Sequence, residues 1–483
     1  MRKIALGIIF TIAAQTLLAQ PISFFKSYGG NGYDYGRDVV EDFDDGYVCT
    51  GSSSSFLSDQ GDLFVMKVDT GGHFKWSYNY GGEGSDWGES ILFDSDTNYS
   101  VAGYTNSIGY GGFDFYFLKI DSNGTKLLEK TYGGADWDKC YAHIQLQDSG
   151  YVMVGDSYSF GNDLQAYIVR TDKWGDTLWT KSWGGIEEES LNDVILDGDS
   201  IVVCGRTTSF GNGEDDGLII KMDLLGNIGW SKTIGQERSD YFNSIEHFND
   251  YYVLGGQRSY NFDDDKEDMW VYKIQDDGLT VVFDSLYADS EDTDITMDLM
   301  IRDVNQDIII AGFTKTWGVI DGFGDMITCK YTSNFTFVTN YTFGADLRDQ
   351  PFAIKETSDD GYIMIGDFNH QSSGGGNMFL LKNTYLWEWF DVYNDIENEQ
   401  ITTSINNEPH KLENEIYPNP FQDQLTINLQ EDCEKVEILS INGAKILEVY
   451  KSGEYDLGHL ESGIYIVNYV FTEKSFRSKI VKN

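Results

Sequence analysis

Six histidines, five cysteines and an excess of carboxylates are the residues that could carry chemistry in this 483-residue chain. His73, His143, His247, His370, His410 and His459 each fall in a different segment. No HExxH or close His pair occurs, so the i, i+4 spacing that lets two imidazoles hold zinc is missing. There is no Gly-x-Ser-x-Gly, the sharp turn that would expose a serine nucleophile. Gly-rich loops such as Phe210-Gly-Asn-Gly213 precede apolar strand-like runs rather than helices, which argues against phosphate cradling.

The carboxylates are patterned. Asp34, Asp86, Asp138, Glu189, Asp240 and Asp349 recur at nearly one phase, each just before an apolar run. If they converged on an axis, they could bind Ca²⁺ or a cationic group. Each could instead accept hydrogen bonds from its own turn, and recurrence in nearly every repeat favours that structural role. The acidic run Asp263–Asp268 lacks the Gly of an EF-hand and reads as a solvated loop. Cys49 and Cys204 sit inside apolar runs and no CxxC occurs, so buried free thiols are expected rather than disulfides or a metal site. No catalytic, cofactor-binding or metal-binding residue is assigned.

What positions these residues is a repeat of about fifty residues. It is plainest in Lys130 to Trp179: an aromatic-Gly-Gly turn, an acid, two apolar runs, a Gly-x-Thr/Ser-x-Ser loop, an Asp, a third apolar run, Lys-x-Asp-x-x-Gly and a Trp. Arg170 replaces the Lys in this copy. The Gly ending the second run falls at Gly51, Gly103, Gly155, Gly205, Gly255, Gly312 and Gly366, which makes seven copies spaced 50 to 57 residues apart. Four strands per copy are predicted, for example near Trp87 to Phe93, Tyr99 to Tyr104, Phe113 to Ile120 and Lys126 to Tyr132. The turn Asp121-Ser-Asn-Gly124 joins the last two, with Gly where positive φ is needed. Second strands such as Ile201-Val-Val-Cys204 are apolar on both faces, as in sheets packed face to face. Ile22 to Tyr28 reads as a fourth strand without the preceding three, and should close the ring by pairing antiparallel with a third strand near Met378 to Lys382. Trp387 to Tyr393 is a second candidate for that place.

These copies resemble the bacterial β-propeller repeat of many exported proteins. The resemblance covers roughly residues 22–389 and weakens in the fifth to seventh copies, where Gly235-Gln236, Ala288-Asp289 and Gly344-Ala345 replace Gly-Gly. It implies an all-β, seven-bladed propeller and says little about activity, because propellers host unrelated functions. Sialidase propellers also carry Asp motifs on such hairpins. Here Lys67 and Lys221 stand where those motifs have Ser or Thr, and Arg37, Arg170, Arg206, Arg238, Arg258, Arg302 and Arg348 scatter over several repeat phases.

Residues 1–20 read as a Sec signal peptide, with Arg2 and Lys3 ahead of an apolar stretch to Leu18. No later run is long and apolar enough to span a bilayer. The first twenty residues carry +2 and residues 417–483 carry −3, which leaves −44 on residues 21–416. Such a surface repels nucleic acid and anionic lipid.

The expected organisation is the leader 1–20, the propeller 21–390, a polar linker 391–416 and a small immunoglobulin-like β-sandwich 417–483. The last segment resembles the C-terminal sorting domain of type IX secretion cargo in the Bacteroidetes, on Tyr417-Pro418-Asn419-Pro420, Asn442-Gly443, Ser462-Gly463-Ile-Tyr465 and Lys479-Ile-Val-Lys482. The resemblance implies type IX machinery and a sortase-like peptidase as partners, and a secreted or cell-surface location. The expected role is a non-enzymatic binding or structural module for glycan or protein, through aromatic-rich loops such as Ser107 to Phe113 and Ser157 to Asp163. The alternative is a polysaccharide-acting hydrolase or lyase, which His, Arg or carboxylate side chains converging on one face would favour.

Overall fold

Seven Gly residues stand two or three residues before the end of the second strand of their repeats, each facing a β-bulge in the first strand. In the second blade the bulge lies between Gly88 and Ser90, and a Cβ on Gly103 would overlap the carbonyl of Trp87. The other six bulges fall at the same place. By this register the equivalent of Gly103 in the fifth blade is Gly256, one residue beyond the Gly255 chosen from spacing. The hairpins between third and fourth strands place Gly72, Gly124, Gly175, Gly226 and Gly278 at φ of 72–80°, the left-handed region that Gly enters without steric cost.

The computed structural model describes residues 23–383, apart from 56–59, 162, 260–265, 288–291, 317–323, 345–347 and 370–375. Beyond them it describes 397–400, 416–417, 424–427, 433–440, 445–460, 463–471 and 475–482. The leader 1–20 and the closing candidate Trp387 to Tyr393 lie outside the described residues. The chain divides into two compact units, Met1–Ser404 and Ile405–Asn483.

The first unit holds seven antiparallel blades, typified by Asp86–Phe93, Tyr99–Thr105, Asp114–Ile120 and Lys126–Tyr132. The seventh begins with Gln350–Glu356, Tyr362–Phe368 and Asn377–Asn383, and takes Phe24–Gly29 as its fourth strand. Phe24 faces Lys382 and Tyr28 faces Met378, antiparallel, as the orphan strand requires. Glu397–Gln400, which falls in the expected linker, adds to Phe24–Gly29 in parallel as a fifth strand.

Seven apolar clusters hold the ring, one between each pair of neighbouring blades. Val152 and Val154 point into the layer shared with the fourth blade, while Tyr151 and Met153 point into the layer shared with the second. This is why the second strands are apolar on both faces. At roughly 1.5–3 kcal/mol for each large apolar side chain buried, these layers are the main favourable term. The cluster joining blades seven and one contains Phe24 and Tyr28, and the one joining six and seven contains Phe25. The clasp therefore belongs to two layers at once.

The second unit is a two-sheet sandwich. Ile416–Tyr417, Gln424–Ile427 and Gly453–Asp456 form one sheet; Lys445–Val449, Cys433–Ser440, Gly463–Phe471 and Ser475–Lys482 form the other. Ile427 of the first packs in one core with Val436, Ile438, Val449 and Tyr465 of the second.

Candidate functional site

The repeated polar residues hold the blades together. Asp86 is sealed from solvent, and its carboxylate accepts from the Gly82 amide (3.0 Å), the Ser107 hydroxyl (2.7 Å) and the Thr105 hydroxyl. One side chain thus ties the Gly-Gly turn to the Thr-x-Ser loop of the same blade. Asp34 repeats this with Gly30, Ser53 and Ser55, and Glu189 with Gly185, Thr207 and the Ser209 amide. Asp138 accepts from Gly134 and Ser159, Asp240 from Gln236, and Asp349 from Asn369. Sequence reading missed the sixth blade's member, Asp294, held by Thr314 and Thr316. Its turn lacks Gly-Gly, but Thr314-x-Thr316 was a usable signal. The Lys of Lys-x-Asp has a matching role. Lys119 pairs with Asp94 and Asp96, Lys221 with Asp197, Lys330 with Asp307, Lys382 with Asp359, and Arg170 with Asp148, each fastening a third strand to the turn between strands one and two.

Function therefore has to be sought where the blades differ. The bulge residue changes from blade to blade, with Asn alone occurring twice: Arg37, Glu89, Tyr141, Asn192, Asn243, Met297 and Phe352. These residues form chains of contacts around the inner strands. The Arg37 guanidinium lies 3.8 Å from the Phe352 ring centre and 3.5 Å from the Glu89 carboxylate, and Asn192 reaches Asn243 and the Phe242 carbonyl. One residue further along, Asp38, Asp193 and Asp298 accept the amides of Ile91, Ile245 and Ile354, each in the next blade. The bulge frees those amides and the carboxylates cross-link inner strands with them. Lys355 on the seventh blade is the cation among these acids, 3.5 Å from Asp298. Its side chain is 44 % exposed, yet carboxylates from four other blades surround it, so its exposure is to the lumen of the ring. Asp298 chiefly, with Asp38, Asp193 and Glu246, holds the lysine's pKa up. Burial pushes Asp193 up to about 7 and Glu246 to about 8, with neighbouring acids adding to both shifts.

Toward the strand-one entry, the inner wall carries a run of alternating charge. Arg37 faces Glu89 and Asp367, and Lys139 acts on Glu89 and Asp156, with Tyr104 and Tyr141 bonded to Glu89 and Asp156. Burial raises the Glu89 carboxyl, and takes Asp156 to about 6 and Asp367 to about 7, against the lowering effect of the cations. Sequence analysis named Arg37 only as one of seven scattered arginines and found none of these acids. Arg170, Arg206, Arg258 and Arg302 are held in ion pairs of their own. His143 is buried between Ser90 and Ser100, its pKa held down to about 3 by burial. Among the described residues no group of three or more His, Cys, Asp or Glu has the geometry of a metal site.

On the same side, the loops of blades two to four expose Ile108, Tyr110, Trp137, Tyr158, Phe160, Ile186 and Phe210, with Tyr110 80 % exposed. Lys139 lies 5.1–5.4 Å from the ring centres of Tyr104, Phe113 and Trp137, so the aromatic rim adjoins the charged wall. The two loops expected to bind ligand, Ser107 to Phe113 and Ser157 to Asp163, supply four of these residues.

In the second unit, Tyr417 pairs with Thr426. Gly463 opens a strand opposite Lys482, and Lys479 faces Ile466. Tyr465 is buried in the core. Pro418, Asn419, Pro420 and Gly443 lie outside the described residues. Residues 415–483 match the secretion system C-terminal sorting domain. With this sorting domain the chain is marked for secretion or the cell surface.

The whole chain is similar in structure to PorZ, a surface component of the type-IX secretion system of Porphyromonas gingivalis (TM-score 0.42, 13 % identity, 96 % of this chain and 61 % of that one). It therefore spans about three-fifths of that protein's length. The propeller is also similar to the Neurospora crassa Pan2 WD40 domain (TM-score 0.44, 10 % identity, 72 % and 88 %) and to a protein of unknown function from Dyadobacter fermentans (0.42, 10 %, 74 % and 97 %). No curated protein matches the sequence.

Proposed function

We propose that the propeller is a glycan-binding module without catalytic activity, displayed or released at the surface by type IX secretion. The observation that carries the reading is the concentration of exposed aromatic rings on the loops of blades two to four, beside a wall of paired charges. Aromatic faces stack on the apolar faces of sugar rings, and flanking acids and cations take up the hydroxyls. On a glycan array the purified propeller should show a defined set of ligands. Trp137→Ala and Tyr110→Ala should each weaken the best of them roughly tenfold, the effect of losing about 1.4 kcal/mol. Unchanged affinity in both variants would refute the placement of the site.

The sorting domain supports type IX machinery and its sortase-like peptidase as partners, and a Bacteroidetes source. Among the described residues no helix is long and apolar enough to cross a membrane. Deleting residues 417–483 should leave a folded propeller that accumulates in the periplasm, because its core is complete without them. Fractionation of the native host, with terminal mass spectrometry of the mature protein, checks this. Surface delivery of the truncated protein, or a mature form that retains Lys482, would exclude the reading.

A second reading, a glycan-acting hydrolase, is favoured by one observation. Glu89, Asp156 and Asp367 are carboxyls with raised pKa on a single wall, the condition for a general acid at neutral pH. Release of reducing ends from an array-positive glycan, lost in Glu89→Gln, would establish it.

A further inference from the structure

Lys139 is a cation of the inner wall that the protein leaves without an acceptor. Arg37 is paired with Glu89, Arg206 with Glu188 and Asp215, and Lys355 with Asp298. Among the described residues the Lys139 ammonium has no ion pair or hydrogen bond, and contacts rings instead. The two acids in its field are already engaged: Glu89 by Arg37 and the Tyr104 hydroxyl, Asp156 by the Tyr141 hydroxyl and by the Ser190 hydroxyl at 3.0 Å. Lys139 follows Asp138 at the register where the other blades carry Tyr35, Trp87, Ser190, Tyr241, Ile295 and Gln350, so no other blade places a charge there.

Three aromatic rings hold the amine in place. Tyr104 and Phe113 come from the second blade and Trp137 from the third, with ring centres 5.1, 5.4 and 5.3 Å away, within the range of cation–π attraction. The rings brace one another: Phe113 meets Tyr104 edge-on at 5.3 Å and Trp137 edge-on at 5.6 Å. The loop that carries Tyr110 is pressed against the third ring, since a Cβ on Gly112 would come within 2.1 Å of the Trp137 indole. Trp137 keeps half of its surface exposed and Tyr110 most of it. A fixed, unpaired ammonium therefore lies beside exposed ring surface that is already braced, which lowers the ordering cost of binding.

We propose, as an extension that rests on the glycan-binding reading, that the ligand is an acidic glycan and that Lys139 receives the carboxylate of a uronic acid residue. A uronic acid carries its carboxylate on the pyranose ring itself. One residue can therefore lay its apolar face on Trp137 or Tyr110 and present its charge to the ammonium from the ring's edge. The contact is a charge-assisted hydrogen bond that breaks no internal ion pair. A neutral sugar in the same place would strip water from the amine without supplying an acceptor, and that unpaired group is the source of discrimination. Net charge does not forbid the ligand. The −44 of residues 21–416 is screened beyond about 8 Å at physiological ionic strength, whereas Lys139 acts at contact, and Glu89 and Asp156 are occupied by the donors named above.

The test screens the full chain on an array of neutral, sulfated and uronic acid oligosaccharides, the last including oligogalacturonate, oligomannuronate and oligoguluronate. The best ligand should be a uronic acid oligomer. Calorimetry at pH 7 then compares it with its carboxyl-reduced counterpart, in which each carboxylate has become a primary alcohol. The acid should bind roughly tenfold tighter or more, as a hydrogen bond between charged groups implies. In Lys139→Met, with its melting transition retained, the two forms should bind alike, whereas Lys139→Arg should keep the preference. A best ligand that is neutral or sulfated, or a preference that survives in Lys139→Met, would overturn the proposal while the glycan-binding reading stands. An array without any hit would remove both.

Discussion

Removal of Phe24–Gly29 should abolish the folded ring. Those residues complete the seventh blade, and without them the edge from Met378 to Lys382 is left unpaired. Phe24, Phe25 and Tyr28 leave two apolar layers, a loss of roughly 1.5–3 kcal/mol for each side chain. The Tyr28 hydroxyl also donates to the Gly72 carbonyl of the first blade at 2.6 Å, as Tyr80 does to Gly124 and Tyr132 to Gly175 further round. The sum approaches the whole stability of an ordinary domain, about 5–15 kcal/mol. Thermal melts followed by circular dichroism, with limited proteolysis, should show no cooperative transition in the deletion variant. Tyr28→Phe alone should cost about 1 kcal/mol. A deletion variant that melts as the intact protein does would mean that another segment can close the ring.

Replacing Lys355 by Met should destabilise the propeller, and more so at pH 8 than at pH 5. The substitution leaves Asp38, Asp193, Asp298 and Glu246 facing one another without their shared cation. Removing one partner of a dry ion pair costs about 3–5 kcal/mol. Lys355 is 44 % exposed to the lumen, so screening reduces the expected loss to about 2 kcal/mol. The sign with pH follows from Asp193 and Glu246, whose folded pKa values of about 7 and about 8 lie above their unfolded ones. Their preference for the protonated form stabilises the fold fully below about pH 4 and is lost as pH rises through 7 and 8. Met at position 355 raises both pKa values further, so the gap between variant and parent should widen from pH 5 to pH 8. Asp156, Asp240 and Asp367 are also raised, but they act on both proteins and cancel in the difference. Urea titrations at the two pH values measure it. An equal loss at both would show that Lys355 supports the ring by packing rather than by charge.

The elements that repeat were legible in the sequence because one physical constraint was written out seven times. The hairpin glycines, the doubly apolar second strands and the orphan strand before the first copy each led to the right feature, including the pairing of the clasp with the seventh blade. Glu397–Gln400 was not legible as a strand: its residues are all polar, and only an available backbone edge recruits them. The candidate site was hidden for the opposite reason. Bulge residues come from strands 50 or more residues apart and, Asn192 and Asn243 aside, share no type, so nothing in the sequence shows that Arg37, Glu89 and Phe352 touch. The exposed loop aromatics could be anticipated because loops rich in large rings have little else to do with them. Asp156 and Asp367 could not, since an acid at the end of an apolar strand looks like ordinary punctuation.

The cysteines carry a consequence for the life of the molecule outside the reducing cytoplasm. Cys49, Cys140, Cys204 and Cys329 are free and buried, in blades one, three, four and six, and burial holds all four thiols well above their usual pKa. None can ionise or meet an oxidant while its layer is shut. Each becomes an ordinary reactive thiol once the layer opens. Folding must therefore outrun oxidation after export, since a thiol trapped as a sulfenic acid or mixed disulfide no longer fits an apolar layer. Once the ring has closed, the same residues act as four clocks set around it, each recording by its modification how often its own part of the circle has come apart.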